Sequence, residues 1–154
     1  MKLAVLSDVH VMGPGESEHH REASEAIGHD LPRWRRRWRR GLHRLRQRFW
    51  NTHPGDRHQC FLSALQEIEA YGPDWVIANG DYGGDTGGVG LSDERTFESV
   101  AGVLTLVRET FPDRSLFVFG DHELGKYSTM LRHGGIRLAS LERGERELGI
   151  RSFW

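Results

Sequence analysis

The stretch KLAVLSDVH, residues 2–10, carries the strongest signal for the fold. Lys2–Leu6 is a short apolar run that ends abruptly at the polar pair Ser7-Asp8, which is typical of a buried strand in a layered α/β sheet. Two later runs are of the same kind, Trp75–Ala78 and Leu116–Phe119. We therefore predict three short strands, each of which ends at a cluster of polar residues.

Helical patterns separate these strands. A helix should follow a turn at Asn51–Asp56 and run to about Tyr71, where Gly72-Pro73 ends it. Another helix, capped by Ser92, should extend to Glu109 or Thr110. The alternation of strands and helices predicts an α/β fold, in which a parallel sheet with right-handed crossovers carries flanking helices. The 154 residues are enough for one such domain.

A strongly basic segment lies between the first two strands. Nine arginines and no acidic residue occupy Arg33–Arg48, although the whole chain has a net charge of −1. On a helix over Leu31–Trp50, the apolar residues would share one narrow arc that contains none of the arginines: Leu31, Trp34, Trp38, Leu42, Leu45 and Phe49. We predict a basic amphipathic helical insertion at about residues 31–50, after a polar loop over Met12–Asp30.

Four interpretations of this basic helix remain open. Its apolar stripe either packs on the domain and leaves a solvated basic face, or lies in an anionic membrane surface. The arginines of Arg33–Arg48 alternatively neutralise the phosphates of a nucleic acid, or cover a binding cleft and steer anionic substrates into it.

The composition limits the cellular setting. The single Cys60 excludes an internal disulfide framework and a cysteine-based zinc site, and no apolar run is long enough to span a bilayer. The N-terminal residues have no small-residue cleavage site and do not resemble a signal peptide. We expect a cytoplasmic protein, peripheral to the membrane if the basic helix binds lipid. Cys60 itself is expected to face the core as a small hydrophobe.

The polar clusters at the strand ends contain residue types that bind metals. The carboxyl ends of parallel strands share one edge, where ligands bind in open α/β sheets. Carboxylates and imidazoles together suit Mn, Fe, Zn or Ni, and a bridging carboxylate can hold two ions that promote in-line attack on phosphate. Five side chains should therefore surround one small volume: Asp8, His10, Asp81, Asp121 and His122.

Three blocks, Asp8-x-His10, Gly80-Asp81 and Gly120-Asp121-His122-Glu123, together resemble the first signature blocks of the calcineurin-like metallophosphoesterase superfamily. The resemblance covers residues 1–154 as the N-terminal half of that family's domain, with a long insertion after the first block. It implies the first layer of a two-sheet β-sandwich, truncated before the second sheet. It also implies hydrolysis of a phosphomonoester, phosphodiester or pyrophosphate by a metal-activated hydroxide.

The resemblance assigns a role to each matching residue. Four residues would hold two divalent ions (Mn, Fe, Zn or Ni), the third of them in the bridging position: Asp8, His10, Asp81 and Asp121. His122 would be the catalytic residue that assists the leaving oxygen of the phosphoester substrate. Glu123 matches the family residue that orients this histidine.

The chain departs from the family pattern in two ways. Asp121 replaces the usual Asn and adds negative charge where the phosphate must sit. The family's later histidine and its Gly-His-x-His block have no counterpart after His122, where His133 is the sole histidine. We expect one face of the sheet to be exposed, the isolated chain to be weakly active or inactive, and a second copy or a missing C-terminal half to complete it.

The alternative function belongs to another class. In that hypothesis the chain is a non-catalytic module that binds a membrane or a nucleic acid through Arg33–Arg48, and the metal motif is a relic. The remaining features have plain interpretations: Asp85 is a turn residue, and Glu147–Trp154 is an interrupted strand. Solvated histidines are expected at positions 19, 20, 29, 43, 53 and 58.

Overall fold

A computed structural model describes residues 1–16, 18, 34, 37–38, 41, 54–84, 90–125 and 137–152. Three parallel strands form one sheet in the order β1-β2-β3: β1 (Leu3–Leu6), β2 (Trp75–Ala78) and β3 (Ser115–Phe117). The predicted α/β class with a small parallel sheet is thus confirmed. The third strand is shorter than expected, but Val118 N still donates a hydrogen bond to Ala78 O at 3.0 Å, and Val118 also forms an isolated parallel bridge with Arg151.

Two of the predicted helices, one directly before β2 and one before β3, are present with shifted starts. Helix α1 (Pro54–Tyr71) begins inside the expected turn, since proline is well tolerated in a first helical turn. Helix α2 (Glu94–Thr110) is capped by Asp93, whose carboxylate accepts a hydrogen bond from Thr96 N at 3.1 Å. The prediction of Ser92 as the cap was wrong, because residues 90–92 form a short 3-10 helix.

A third helix, α3 (Leu138–Leu148), was not expected. Its buried residues are Ser140, Gly144 and Leu148. Because Ser140 is polar and Gly144 has no side chain, the sequence lacks the apolar periodicity from which a helix is predicted. A Cβ on Gly144 would lie 2.7 Å from Phe119 Cζ, so the helix approaches the core closely only because this residue is glycine. The helix also corrects the prediction of an interrupted strand over Glu147–Trp154, of which only Arg151 pairs with a strand among the described residues.

The hydrophobic core lies on one face of the sheet. Alternating strand residues such as Leu6, Val76 and Phe117 point to this face and are buried. Helix α2 contributes a stripe of buried apolar residues that includes Val100 and Leu104, and α1 contributes Phe61 and Leu65. This packing holds the carboxyl ends of the three strands in a fixed relation to one another.

The opposite face of the sheet is apolar and open. The strand register aligns Leu3 with Trp75, and Val5 with Ile77 and Leu116. Leu3 is 47% exposed, Val5 64%, Trp75 39% and Leu116 38%. Exposure of one sheet face agrees with the expectation from the sequence.

The segments between β1 and α1 are described only in part. Residues 14–16 and 18 are helical, which corrects the prediction of a loop at these positions; the rest of the predicted loop up to residue 30 lies outside the described residues. In the predicted basic helix, residues 34, 37, 38 and 41 are described and helical. Trp34 is 68% exposed and Trp38 71%. None of the helices in the described ranges has the length and apolarity needed to cross a bilayer.

Candidate metal centre

The carboxyl ends of the three strands bring three of the predicted residues together. One ligand atom each from His10, Asp81 and His122 lies within 4.8 Å of the others, and all three side chains are partly buried. His10 follows β1, Asp81 follows β2 and His122 follows β3. Residues more than 100 positions apart in the chain therefore meet because parallel strands end at the same edge.

The two remaining predicted ligands flank this cluster. Asp8 Oδ1 lies 3.8 Å from His10 Nε2, and Asp121 Oδ1 lies 3.9 Å from His122 Nε2. Both carboxylates are more than half exposed. Each imidazole thus has one exposed carboxylate beside its Nε2.

The two imidazole rings are oriented by neighbouring backbone carbonyls. His10 Nδ1 lies 3.2 Å from Gly83 O, and His122 Nδ1 lies 3.0 Å from Gly84 O. The ring centroids are 4.8 Å apart and the rings are inclined by 66°. Because a carbonyl can only accept, each Nδ1 donates in this contact, and in a neutral ring this tautomer leaves the Nε2 lone pair for a metal.

The backbone is left-handed at three residues of the cluster. The φ angles are 56° at Asp8, 44° at His10 and 56° at Asp81. Non-glycine residues seldom adopt this conformation, and such residues cluster at functional sites because the surrounding structure must hold them there. The loops after β1 and β2 therefore hold three of the predicted ligand residues in unusual conformations at once.

Two glycines allow these loops to approach one another. Gly80 has φ of 83°, and a Cβ at this position would lie 2.9 Å from Phe119 C and closer still to the backbone of Gly120. A Cβ on Gly120 would in turn overlap Asp81. Side chains at either position would separate the ends of β2 and β3, so both glycines are required for the cluster to form.

Glu123 joins the same two loops through hydrogen bonds to their backbone N–H groups. Its side chain is fully buried. Oε2 accepts hydrogen bonds from Asp81 N and Gly120 N at 2.8 Å each, and Oε1 accepts from Tyr82 N at 2.8 Å and Gly83 N at 3.5 Å. Among the hydrogen bonds of the described residues, none joins Glu123 to the ring of His122. Glu123 positions the loops that carry the cluster, and a direct action on the histidine stays a prediction.

Burial controls the ionisation of the central carboxylates. It raises the pKa of Asp81, and the neighbouring charge of Asp121 adds to this, while the hydrogen bond from His122 N to Asp81 Oδ1 acts in the opposite direction. Burial also raises the pKa of Glu123, and its backbone hydrogen bonds oppose that effect in part. A divalent cation would compensate the negative charge that burial disfavours at Asp81.

One further acidic residue supports the cluster and was missed by the sequence analysis. Glu16 is fully buried, and its Oε2 accepts a hydrogen bond from Gly84 N at 3.1 Å. Gly84 is the residue whose carbonyl orients His122. No sequence pattern distinguishes Glu16 from its acidic neighbours, so only the fold reveals this contact.

The sequence analysis also made predictions for residues that do not belong to the metal cluster. Cys60 is exposed, so the prediction that it faces the core was wrong: the adjacent Phe61 takes the buried position on α1. His58 is exposed as expected. Asp85, His133 and the histidines at 19, 20, 29, 43 and 53 lie outside the described residues.

Comparisons with protein-family models, with curated proteins and with solved structures give no match to this chain.

Proposed function

We propose that this chain is a metal-dependent phosphoester hydrolase of the calcineurin-like metallophosphoesterase type. The observation that supports the proposal most strongly is the approach of His10, Asp81 and His122 to within 4.8 Å at the carboxyl edge of a parallel sheet. The order of the three motif blocks and their positions after successive strands support it further. The substrate is a phosphomonoester, phosphodiester or pyrophosphate.

The donor set fits divalent metal ions. The imidazole of His10 offers an Nε2 lone pair and three carboxylates offer oxygens, a mixture that suits Mn, Fe, Zn or Ni. Asp8 and His10 would hold one ion, Asp121 the other, and Asp81 both. Bound divalent ions supply a nucleophile at neutral pH and neutralise charge on the transferring phosphoryl group.

The protein's own residues would orient the substrate and move a proton. The hydrogen bond from His122 Nδ1 to Gly84 O keeps the ring in place, with Nε2 3.9 Å from Asp121 Oδ1. From there a protonated His122 can donate from Nε2 to the leaving oxygen of the ester. The backbone contacts of Glu123 keep Asp81 and the loop of His122 at their separation during the reaction.

Substrate binding in this chain should be weakened by its departures from the family pattern. The carboxylate of Asp121 repels an anionic phosphate, where the family's Asn would not. The later histidines of the family have no counterpart after His122. We therefore expect slow turnover by the isolated chain, and metal binding is the more sensitive readout.

The test compares Asp81→Asn with Asp113→Asn, in the presence and absence of Mn²⁺. Asp113 is a matched control, because it also has a left-handed backbone (φ 59°) but lies before β3, away from the cluster. We expect Asp81→Asn to reduce both Mn²⁺ affinity and 4-nitrophenyl phosphate hydrolysis about 100-fold, and Asp113→Asn to change neither by more than about twofold. Equal behaviour of the two variants would refute the proposal.

His122→Gln separates proton donation from metal binding. If His122 is the proton donor, kcat falls about 100-fold while the Mn²⁺ affinity changes less than about threefold. A loss of Mn²⁺ affinity with His122→Gln as large as with Asp81→Asn would make His122 a ligand and contradict its assigned role.

The open face of the sheet fits the prediction that a second copy or a C-terminal half completes the protein. Val5 and Leu116 are the residues whose exposure motivates this prediction. Analytical ultracentrifugation of the wild type and of the double variant Val5→Lys, Leu116→Lys tests the first case. We expect the wild type to self-associate and the double variant to remain monomeric. Monomers in both samples would exclude self-association through this face.

The alternative function, a module that binds anionic membranes or nucleic acid, is supported by a separate observation. Trp34 and Trp38, one helical turn apart, are both mostly exposed beside the arginines of Arg33–Arg48. Exposed tryptophans flanked by arginines favour a lipid surface. Binding to phosphatidylserine vesicles should fall at least about tenfold in Trp34→Ala, Trp38→Ala and be unchanged in the control Trp75→Ala. Binding to DNA but not to vesicles would favour nucleic acid instead.

A further inference from the structure

A cleft lies directly beside the candidate metal centre, between the carboxyl end of β1 and helix α1. Its volume is about 450 Å³, and His10 belongs both to the cleft and to the metal cluster. Clefts of roughly 300–1,000 Å³ are typical of sites for small organic ligands. The position and the size of this cleft therefore suit it to part of a substrate.

The walls of the cleft combine two kinds of side chain. One part of the lining consists of apolar side chains and one thiol: Leu6, Val9, Phe61, Ala64 and Cys60. Phe61 and Leu6 are buried and form its floor, whereas Cys60 is exposed at its rim. This half of the cleft can bury an apolar group but offers little to a polar one.

The end of the cleft near the metal cluster is polar and charged. Ser7, Asp8, His10 and Arg57 line it. Arg57 Nη1 donates a hydrogen bond to His10 O at 3.4 Å, so the guanidinium lies next to the loop that carries two proposed ligands. A guanidinium in this position can bind a phosphate oxygen and offset the negative charge of nearby carboxylates.

We infer that the cleft binds the apolar organic group of the phosphoester, while the phosphate lies between Arg57 and the metal cluster. The substrate class is then a phosphoester with an aryl or medium-length alkyl substituent. A small polar alcohol would leave the apolar lining in contact with water. This inference rests on the proposed function for the chemistry, but the cleft itself can be tested through binding alone.

The single cysteine provides a direct probe of cleft occupancy. Because Cys60 is the one cysteine of the chain, iodoacetamide labels one thiol, and its rate of alkylation reports on the rim of the cleft. The protein, with and without Mn²⁺, is incubated with hexylphosphonate or with methylphosphonate. We expect hexylphosphonate to slow the alkylation at least fivefold and methylphosphonate to slow it less than about twofold, since the extra methylenes gain affinity only where they are buried.

A variant that fills the cleft provides an independent measurement. Cys60→Trp places a large side chain at an exposed position of α1, and Gln66→Trp is the control at another exposed position of the same helix, outside the cleft. Each fully buried methylene raises affinity about fourfold, so half-burial of the hexyl chain corresponds to roughly a 30-fold preference over methyl. Calorimetry should show that Cys60→Trp removes this preference and that Gln66→Trp keeps it.

The possible outcomes distinguish ligand binding in the cleft from metal-dependent ester hydrolysis. Protection of Cys60 by hexylphosphonate, without Mn²⁺ binding or ester hydrolysis, would support the cleft and overturn the proposed function. Equal protection by both phosphonates, or none by hexylphosphonate with Mn²⁺ present, would overturn the inference whatever the activity. A preference for hexylphosphonate that survives Cys60→Trp would overturn it as well.

Discussion

Replacing Glu123 by Gln tests the structural basis of the metal centre most sharply. The two side chains have nearly the same shape, so no cavity is created, but one carboxylate oxygen becomes an NH₂ group that cannot accept a hydrogen bond. Each oxygen of Glu123 accepts from two backbone N–H groups. In either orientation of the amide, its NH₂ group faces two backbone N–H groups, which then lack an acceptor.

The magnitude follows from these contacts. In the less damaging orientation the NH₂ group faces Tyr82 N and Gly83 N, of which only the first makes a short hydrogen bond, at 2.8 Å. A buried donor that loses its partner costs about 1–3 kcal/mol, and a hydrogen bond to a charged group contributes about 1.5–3 kcal/mol. Relief from burying a charge offsets part of the loss. We expect Glu123→Gln to lower the free energy of unfolding by about 2–4 kcal/mol.

Urea denaturation followed by circular dichroism measures this change. The control is Glu142→Gln on the exposed surface of α3, which should alter the free energy of unfolding by less than about 0.5 kcal/mol. A loss below about 0.5 kcal/mol for Glu123→Gln would refute the role assigned to this carboxylate. Mn²⁺ affinity should fall in the same variant, because the side chain no longer holds the backbone of Tyr82 and Gly83, which follow Asp81 in the same loop.

The pH dependence of Glu123→Gln has a definite sign. Burial raises the folded-state pKa of Glu123 above its ordinary value of 4.5, so the native state holds this proton more tightly than the unfolded state. The stabilisation from the raised pKa is fully present below pH 4.5 and is lost as the pH rises through the folded-state pKa. The stability difference between wild type and Glu123→Gln should therefore narrow from acidic to neutral pH. A difference that widens would contradict the direction of the shift.

Two further predictions concern glycine packing and the charge at the substrate phosphate. Gly144→Ala would put a Cβ 2.5–2.9 Å from Phe119 and Leu91 and should destabilise the fold by about 1–3 kcal/mol, whereas Gly102→Ala on α2, where a Cβ meets nothing within 4 Å, should stabilise it by about 0.5–1 kcal/mol. Thermal unfolding of both variants measures these changes in stability. A loss of stability in both would contradict the gain expected from helix propensity at Gly102. Asp121→Asn should lower KM for 4-nitrophenyl phosphate about fivefold by removing a negative charge, and a higher KM would contradict the repulsion argument.

The sheet and the convergence of the cluster could be predicted because both depend on strong local patterns. Apolar runs of four or five residues end at polar blocks, and parallel strands must end at one edge. From this alone His10, Asp81 and His122 were expected to meet, and their separation in the structure agrees with the expectation. Their chemical roles stay predictions.

The missed features depend on contacts that leave no periodic pattern. Helix α3 buries Ser140 and Gly144 in place of apolar residues, so close packing substitutes for hydrophobicity. The contact from Glu16 to Gly84 joins segments 68 residues apart, and no local sequence pattern predicts it. The hydrogen bonds of Glu123 likewise depend on where two loops meet in space.

Anomalous diffraction from crystals grown with Mn²⁺ tests the central claim most directly. The account predicts two peaks about 3.5–4 Å apart, both in contact with Asp81 and each bounded by one histidine-bearing loop, His10 or His122. Absence of any peak at this edge of the sheet in a well-ordered crystal would contradict the assignment of a metal centre and, with it, the proposed hydrolysis of phosphoesters.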